Sequence, residues 1–359
     1  MALAGPQESN DDWEKMPKSL DQLFAGGDLT ACKLAKDNPE SIAGFKQLTI
    51  PVVDHDYPAS TPAMWNAAYR KFGFANAANV MVAADPAKSG EIFAAFKADA
   101  RYQGGGVGSG FKIIACEYLD EIDPLAKAIG AVNIIVKNQD GSFLGYNTDG
   151  VGYVQSLVAK LAEQGRELSG QKVVILGGGG TANAIAFSLV AQGAQVSILN
   201  RTVATAETLA KRIQDHFGKA AVASFGGEDE IILEAQQAVA VVNVSLKGAV
   251  GDWEKFSALA PAKAGEEKIN QDQAREVLQS LRALNHPPII SDINEQNNPT
   301  VTLDMARQEG LATLGGLGMV VNQGIQSFML VHGKELAAKG FTETDVKRVM
   351  QEAVRKGPG

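Results

Sequence analysis

Four consecutive glycines, Gly177, Gly178, Gly179 and Gly180, stand between an apolar run and Thr181 in the stretch QKVVILGGGGTANAIAFSLVAQGAQVSILNRT. Residues of this type at this spacing can hold a pyrophosphate. Gly177 permits a tight turn, Gly179 lets the backbone approach the anion, and Gly180 and Thr181 open a helix whose N-terminal amides attract negative charge. About 20 residues on, where an NAD-preferring fold places an acid for the ribose 2′-hydroxyl, stand Asn200, Arg201 and Thr202, and no acid follows before Glu207. Arg201 offers a planar, permanently charged fork to a 2′-phosphate, and Asn200 and Thr202 add hydrogen bonds. NADP is therefore favoured over NAD, against the bland reading of a glycine-rich turn that binds nothing.

The elements that must present these residues lie on either side. Residues 173–176 have the β-branched bias of a strand buried on both faces, 181–190 read as a helix and 195–199 as a second strand. Helices at 204–217 and 301–310 and strands at 239–244 and 289–293 continue the pattern. Upstream, strands at 48–53 and 80–84 alternate with helices at 63–72 and 86–101, Thr61 or Ser60 being placed to cap the first of these. A helix at 118–129 stops at Gly130, two strands at 131–136 and 142–146 turn at Asp140-Gly141, and a helix follows at 150–163. The fold class is α/β.

The chain's 359 residues suggest about two domains. Hydrophobic content of 45% and charged content of 21% are those of a globular protein, and a net charge of -8 without a dense basic block argues against nucleic acid or a membrane surface as partner. A small-molecule substrate is the better expectation. The first residues lack the basic start and apolar core of a signal peptide, and no run of about 18 apolar residues occurs, so a cytoplasmic location is expected. Cys32 and Cys116 read as reduced thiols. Asp54-His55-Asp56 could ligate a metal, but no second His or Cys lies at ligand spacing, so none is expected. Residues 1–45 read as a surface-packed or partly disordered arm, and 247–288 as a polar insertion with a helix at 271–284.

GAVN at 130–133, the hairpin after it and GYNTDG at 145–150 resemble the shikimate and quinate dehydrogenase family. So do VILGGGGTANA, LNRT, VVNVS and GGLGMVVNQGIQSF further on, and the resemblance spans roughly residues 48–333. It implies an N-terminal α/β substrate domain of residues 46–149 plus 319–359, whose C-terminal helix returns to it, and a Rossmann-type NADP-binding domain of residues 150–318. It implies reversible hydride transfer between NADP and a secondary alcohol of a cyclic hydroxy acid, in a monomer or homodimer. Such a reaction needs a group that exchanges the hydroxyl proton. By resemblance Lys112 relays that proton, and Asp149, closing the NTD motif, orients the amine and accepts from a substrate hydroxyl. Thr61, Asn133 and Gln323 match positions that hold substrate hydroxyls or carboxylate, and Val244, Ser245 and Met319 match positions beside the cofactor. The bland roles are a solvated lysine for Lys112 and a helix N-cap for Asp149.

The chain departs from the family pattern at Ala59, where a serine is usual, at Gly106, Gly108 and Gly110, and at Thr205, where a second basic residue often backs the 2′-phosphate. By subtraction, residues 104–110 keep the backbone open around a pocket, and a bulkier or differently substituted ring is the expected preference. A dehydrogenase for another substrate and a non-catalytic NADP-sensing protein are the alternatives.

Overall fold

The computed structural model describes residues 18–294 and 299–355. The chain divides into two compact units, one holding residues up to 121 with 135–144, the other 122–134 with 145–357. Among the described residues, no helix is long and apolar enough to cross a membrane.

In the first unit, a six-stranded sheet runs in the order Ala77–Asn79, Gln47–Thr49, Tyr102–Gly106, Ile134–Lys137, Phe143–Tyr146, Glu121–Ile122. The strand expected at 48–53 is broken at Pro51, which has no N–H for a ladder. Val52–Val53 instead joins a three-stranded sheet, parallel to Val82–Ala83, which pairs antiparallel with Thr30–Ala31. The helices Thr61–Lys71 and Ser89–Ala98 bury Trp65, Tyr69, Phe93 and Phe96. Ser60 occupies the N-cap of the first but makes no side-chain cap, so the capping expected of it is not seen.

Over residues 18–45 the arm is packed, one of the two forms expected of it, residues 1–17 lying outside the described residues. Leu20–Ala25 is a helix closed by a capping box between Ser19 and Gln22, and Leu20, Leu23, Leu29 and Cys32 are buried. Apolar side chains tie this segment into the unit.

Tyr102–Gly106 also corrects the sequence reading, because it is a strand inside the sheet rather than an open stretch beside a pocket. A Cβ on Gly104 would collide with the Ile135 carbonyl oxygen, and one on Gly105 with that of Ile50. Glycine lets three backbones lie close together here. Gly110 is likewise closed in, its Cβ position lying 2.7 Å from the Asp54 Cβ. The helix expected at 118–129 shrinks to Pro124–Ile129, because Pro124 supplies no N–H to an earlier turn and Asp123 caps the helix through the amides of Leu125 and Ala126. Gly130 ends it in the left-handed conformation at φ 77°, as expected.

The second unit is built on six parallel strands in the order Val222–Gly226, Gln195–Leu199, Lys172–Leu176, Ala240–Asn243, Ile289–Asp292, Thr313–Gly315. This is the doubly wound order of dinucleotide-binding folds, in which the direction of winding reverses at the first strand. Val173, Ile175, Val196 and Ile198 face one core with the helices Asp149–Ala162, Gly180–Ala191 and Val203–Phe217. Val174, Leu176, Leu199 and Val241 face the other. Both faces being covered at the centre of the sheet, residues 173–176 read as an unbroken apolar run. The insertion at 247–288 serves the core, since Ala258, Leu259 and Ala260, with Ala274, Val277, Leu278 and Leu281 of the Glu267–Arg282 helix, cover the second face.

Asp149–Ala162 lies between two helices. Gly150 meets the Ala184 carbonyl of Gly180–Ala191, and a Cβ on Gly152 would stand 2.7 Å from the Gln323 amide nitrogen of Leu317–Ala338. Because of this packing, Leu317–Ala338 groups with the second unit, whereas the motif-based division assigns 319–359 to the substrate domain.

Candidate active site

The C-terminal ends of Lys172–Leu176 and Ala240–Asn243 open onto a cavity of about 340 Å³. Gly177, Gly179, Asn200, Arg201, Thr202, Val244 and Ser245, all candidates on sequence, line it. Gly177 has φ 126°, and a Cβ there would stand 3.0 Å from the Val244 carbonyl carbon, so the turn admits only glycine. Gly179 and Gly180 have open space where a Cβ would be, and no side chain caps the helix that Gly180 and Thr181 begin. Its first amides are thus left for an anion. Met319 lies instead in Leu317–Ala338, within the core of the second unit.

These residues fit a phosphorylated dinucleotide. The open glycines suit a pyrophosphate, and Arg201 supplies a fork beside Asn200, whose Nδ2 donates to the Thr202 carbonyl at 3.0 Å. Three further lining residues had no signal in the sequence reading: Trp253, Lys247 and Glu228. The Arg201 guanidinium lies 5.8 Å from the Trp253 ring centroid, a cation–π arrangement that holds the fork. Burial pushes the Lys247 ammonium below its ordinary value, and the Glu228 carboxylate beside it opposes the shift. Ser245 is held through its amide and hydroxyl, which donate to Asn243 Oδ1 at 3.0 and 2.7 Å.

A second cluster forms where Asp149–Ala162 begins. Asn133 Nδ2 lies 2.8 Å from Asp149 Oδ1, 3.0 Å from Gln323 Oε1 and 3.0 Å from Thr148 Oγ1. Its Oδ1 accepts from the Thr148 amide at 2.8 Å, and Thr148 Oγ1 reaches Ser327 Oγ at 2.9 Å. Asn133, Thr148, Asp149 and Ser327 are all buried. Three of the candidates, Asn133, Asp149 and Gln323, therefore meet in one hydrogen-bonded group. Thr148 and Ser327 belong to it as well, and sequence reading missed them although Thr148 sits inside the NTD motif. Asp149 is the first residue of its helix, and the N-cap position belongs to Thr148. The N-cap role weighed for Asp149 is thus excluded, and its carboxylate receives the Asn133 amide.

Lys112 and Thr61 belong to the first unit. Thr61 is the first residue of Thr61–Lys71 and half-buried. Lys112 is half-buried in a turn that leads into the 3-10 helix Ile114–Tyr118, not in a helix of its own. Its neighbour Phe111 is fully buried, edge-on to Phe93 at 6.5 Å, and anchors the turn. The Asp54–Asp56 segment has structural partners: His55 Nδ1 lies 2.6 Å from Asp54 Oδ1, and Asp56 accepts the amides of Lys33 and Leu34. Among the described residues, no group of three or more His, Cys, Asp or Glu side chains is placed to hold a metal ion. Cys32 and Cys116 are free thiols, and burial with the nearby Asp56 charge pushes Cys32 up to about 12.

The family model described as shikimate dehydrogenase substrate binding domain matches residues 57–135, and that described as shikimate / quinate 5-dehydrogenase matches residues 158–240. A shikimate dehydrogenase (NADP(+)) of Shouchella clausii is 31% identical over 270 residues, which is 75% of this chain and 86% of that protein. One of Alkaliphilus metalliredigens is 32% identical over 220 residues, covering 61% of this chain and 68% of the relative. The crystal structure of shikimate 5-dehydrogenase from Listeria monocytogenes, in complex with shikimate and NAD, superposes with a TM-score of 0.69 at 26% identity, over 87% of this chain and 99% of that one. With the doubly wound sheet, the glycine turn and the buried Asn133–Asp149 pair already in place, these likenesses make the chain a member of the shikimate/quinate dehydrogenase family.

Proposed function

We propose that this chain is an NADP-dependent oxidoreductase acting on a CH–OH group, transferring hydride reversibly between NADP and a secondary alcohol of a cyclic hydroxy acid of the shikimate or quinate type. The observation that carries the reading is the buried group in which the Asn133 amide joins Asp149 to Gln323. A carboxylate and two amides supply the acceptors and donors that a polyhydroxylated acid requires. Bound NADP would accept the hydride, its phosphates on the Gly177–Thr181 turn and its 2′-phosphate at Arg201.

The remaining steps belong to the protein. Lys112 exchanges the proton of the reacting hydroxyl, as base in oxidation and acid in reduction. Asp149 accepts a hydrogen bond from a substrate hydroxyl, and Asn133 keeps its carboxylate oriented. Thr61 and Gln323 hold further hydroxyls or the carboxylate, and Val244 and Ser245 flank the cofactor. In this reading residues 46–149 with 319–359 serve the substrate and 150–318 the nucleotide. A cytoplasmic monomer or homodimer with no nucleic-acid partner completes it.

The bulkier-ring alternative rested on the side chains missing at Ala59, Gly106, Gly108 and Gly110 and on the open backbone expected between Gly104 and Gly108. Neighbouring backbone fills that space at Gly104 and Gly105, the Val53 and Asp54 side chains fill it at Gly108 and Gly110, and Ala59 is buried, so the shikimate or quinate type is preferred. The test is NADPH formation by the purified chain with a panel including shikimate and quinate. Turnover below about 1 per second with each of them would reject the proposal.

A further inference from the structure

The cavity beside Asn200, Arg201 and Thr202 is lined by an acid as well as by the guanidinium fork. Glu228 follows the Val222–Gly226 strand, and its side chain is 17% exposed. A bare carboxylate in such a place repels a 2′-phosphate and accepts from a ribose 2′-hydroxyl, the arrangement that favours NAD. Glu228 is not bare. Lys247, 7% exposed, reaches it from the loop after Ala240–Asn243, its Nζ donating to Glu228 Oε1 at 2.7 Å and to the Ala260 carbonyl at 2.6 Å. The loop is fixed in turn. Asn243 Nδ2 donates to the Lys247 carbonyl at 2.7 Å, and Asn294 Nδ2 to the same oxygen at 3.1 Å and to the Ser245 carbonyl at 2.9 Å. Burying an ammonium costs desolvation that an apolar residue of similar volume avoids, so the pair contributes little to stability as such.

We propose that Lys247 determines cofactor preference: by pairing with Glu228 it cancels that acid's charge, leaves Arg201 as the net charge of the cavity, and so admits a 2′-phosphorylated dinucleotide. Without the ammonium, the same cavity presents an acid to the ribose and turns toward NAD. The inference rests on reading this cavity as the NADP site, and it accounts for how Thr205 can replace a second basic residue.

The experiment is a double-mutant cycle on the full chain, read by calorimetric titration with NADP⁺ and with NAD⁺ separately. Lys247→Met is expected to lower the ratio of NADP⁺ to NAD⁺ affinity by at least about tenfold, the scale of one charge-assisted hydrogen bond. Glu228→Gln frees the ammonium and is expected to raise the ratio by at least about threefold, on the same scale. The double variant, which buries no unpaired charge, is expected to return within about threefold of the unmodified chain. An unchanged ratio in Lys247→Met, or a fall that the double variant leaves in place, overturns the inference. A purely structural role weakens both nucleotides together and leaves the ratio alone. Should Lys247→Met not fold, Glu228→Gln decides, and an unchanged ratio there counts against the proposal. Failure of the unmodified chain to bind either nucleotide would instead refute the reading of the cavity itself.

Discussion

Asn133 Nδ2 donates to Asp149 Oδ1 at 2.8 Å, joining a residue just after the Pro124–Ile129 helix to the first residue of Asp149–Ala162. Two features hold the donor's end of this bond. Arg212 Nη2 donates to the Ala128 and Ile129 carbonyls at 2.7 and 2.8 Å, and Asn147 Nδ2 donates to the Ala131 carbonyl at 3.1 Å. Gly150 and Gly152 hold the other end by letting the helix approach both of its neighbours.

Replacing Asn133 with Ala removes that link and leaves Asp149 and Thr148 short of a buried donor. Stability is expected to fall by about 1–3 kcal/mol in urea unfolding, the cost of an unsatisfied buried group. Turnover should drop at least about tenfold while NADP⁺ affinity holds, since one charge-assisted bond is of that scale. Unaltered turnover would mean that the bond does not orient Asp149 for chemistry.

Lys112→Ala and Asp149→Asn are each expected to reduce turnover by at least about a hundredfold, the range of general acid–base catalysis, with nucleotide binding unchanged. Near-normal turnover in either variant would remove that residue from the proton transfer.

Arg201→Leu should weaken NADP⁺ binding by about 1.5–3 kcal/mol and leave NAD⁺ almost untouched, because only the former carries a phosphate for the fork. Equal losses for the two nucleotides would show that Arg201 supports the cavity wall through Trp253 rather than reading the phosphate.

Gly105→Ala places a methyl against the carbonyl oxygen of Ile50, which follows the Gln47–Thr49 strand and whose amide donates to the Gly104 carbonyl at 3.0 Å. Destabilisation of about 1–3 kcal/mol or more is expected, the range for overpacking. A variant as stable as the parent would reopen the view of this stretch as a pocket wall.

His332 provides a pH test. It is 5% exposed with its ring 4.8 Å from that of Phe328, and burial, aided by Lys339, lowers its pKa from 6.5 to about 3. Between those values the unfolded chain binds the proton and the folded chain does not, so its contribution is whole above pH 6.5 and lost as pH falls toward 3. At about 1.36 kcal/mol per unit, roughly 2–3 kcal/mol should be lost by about pH 4.5. His332→Leu should flatten that part of the stability profile, and an unchanged slope in urea unfolding at the two pH values would assign the acid sensitivity elsewhere.

The order of secondary structure around the nucleotide turn was determined by the sequence itself. A strand buried on both faces needs an unbroken apolar run, and a turn that meets the Val244 backbone admits only glycine, so residues 173–180 carry their own geometry. Asn200, Arg201 and Thr202 were legible for the same reason, their place following from the end of the second strand. Asn133, Asp149 and Gln323 were reached through the resemblance to a family, because nothing local distinguishes them from a turn residue, a helix cap and a helix glutamine. Only the tertiary structure could bring them together across as many as 190 positions of chain, and add Ser327 to the group. Tertiary packing also decided what Gly104 and Gly105 are: glycine reads equally as open space or as the closest packing, and the approach of Ile135 and Ile50 chooses the second. The pairing of Lys247 with Glu228 was invisible for a related reason, since two charges 19 positions apart, on either side of the Ala240–Asn243 strand, read as solvated until the fold encloses them.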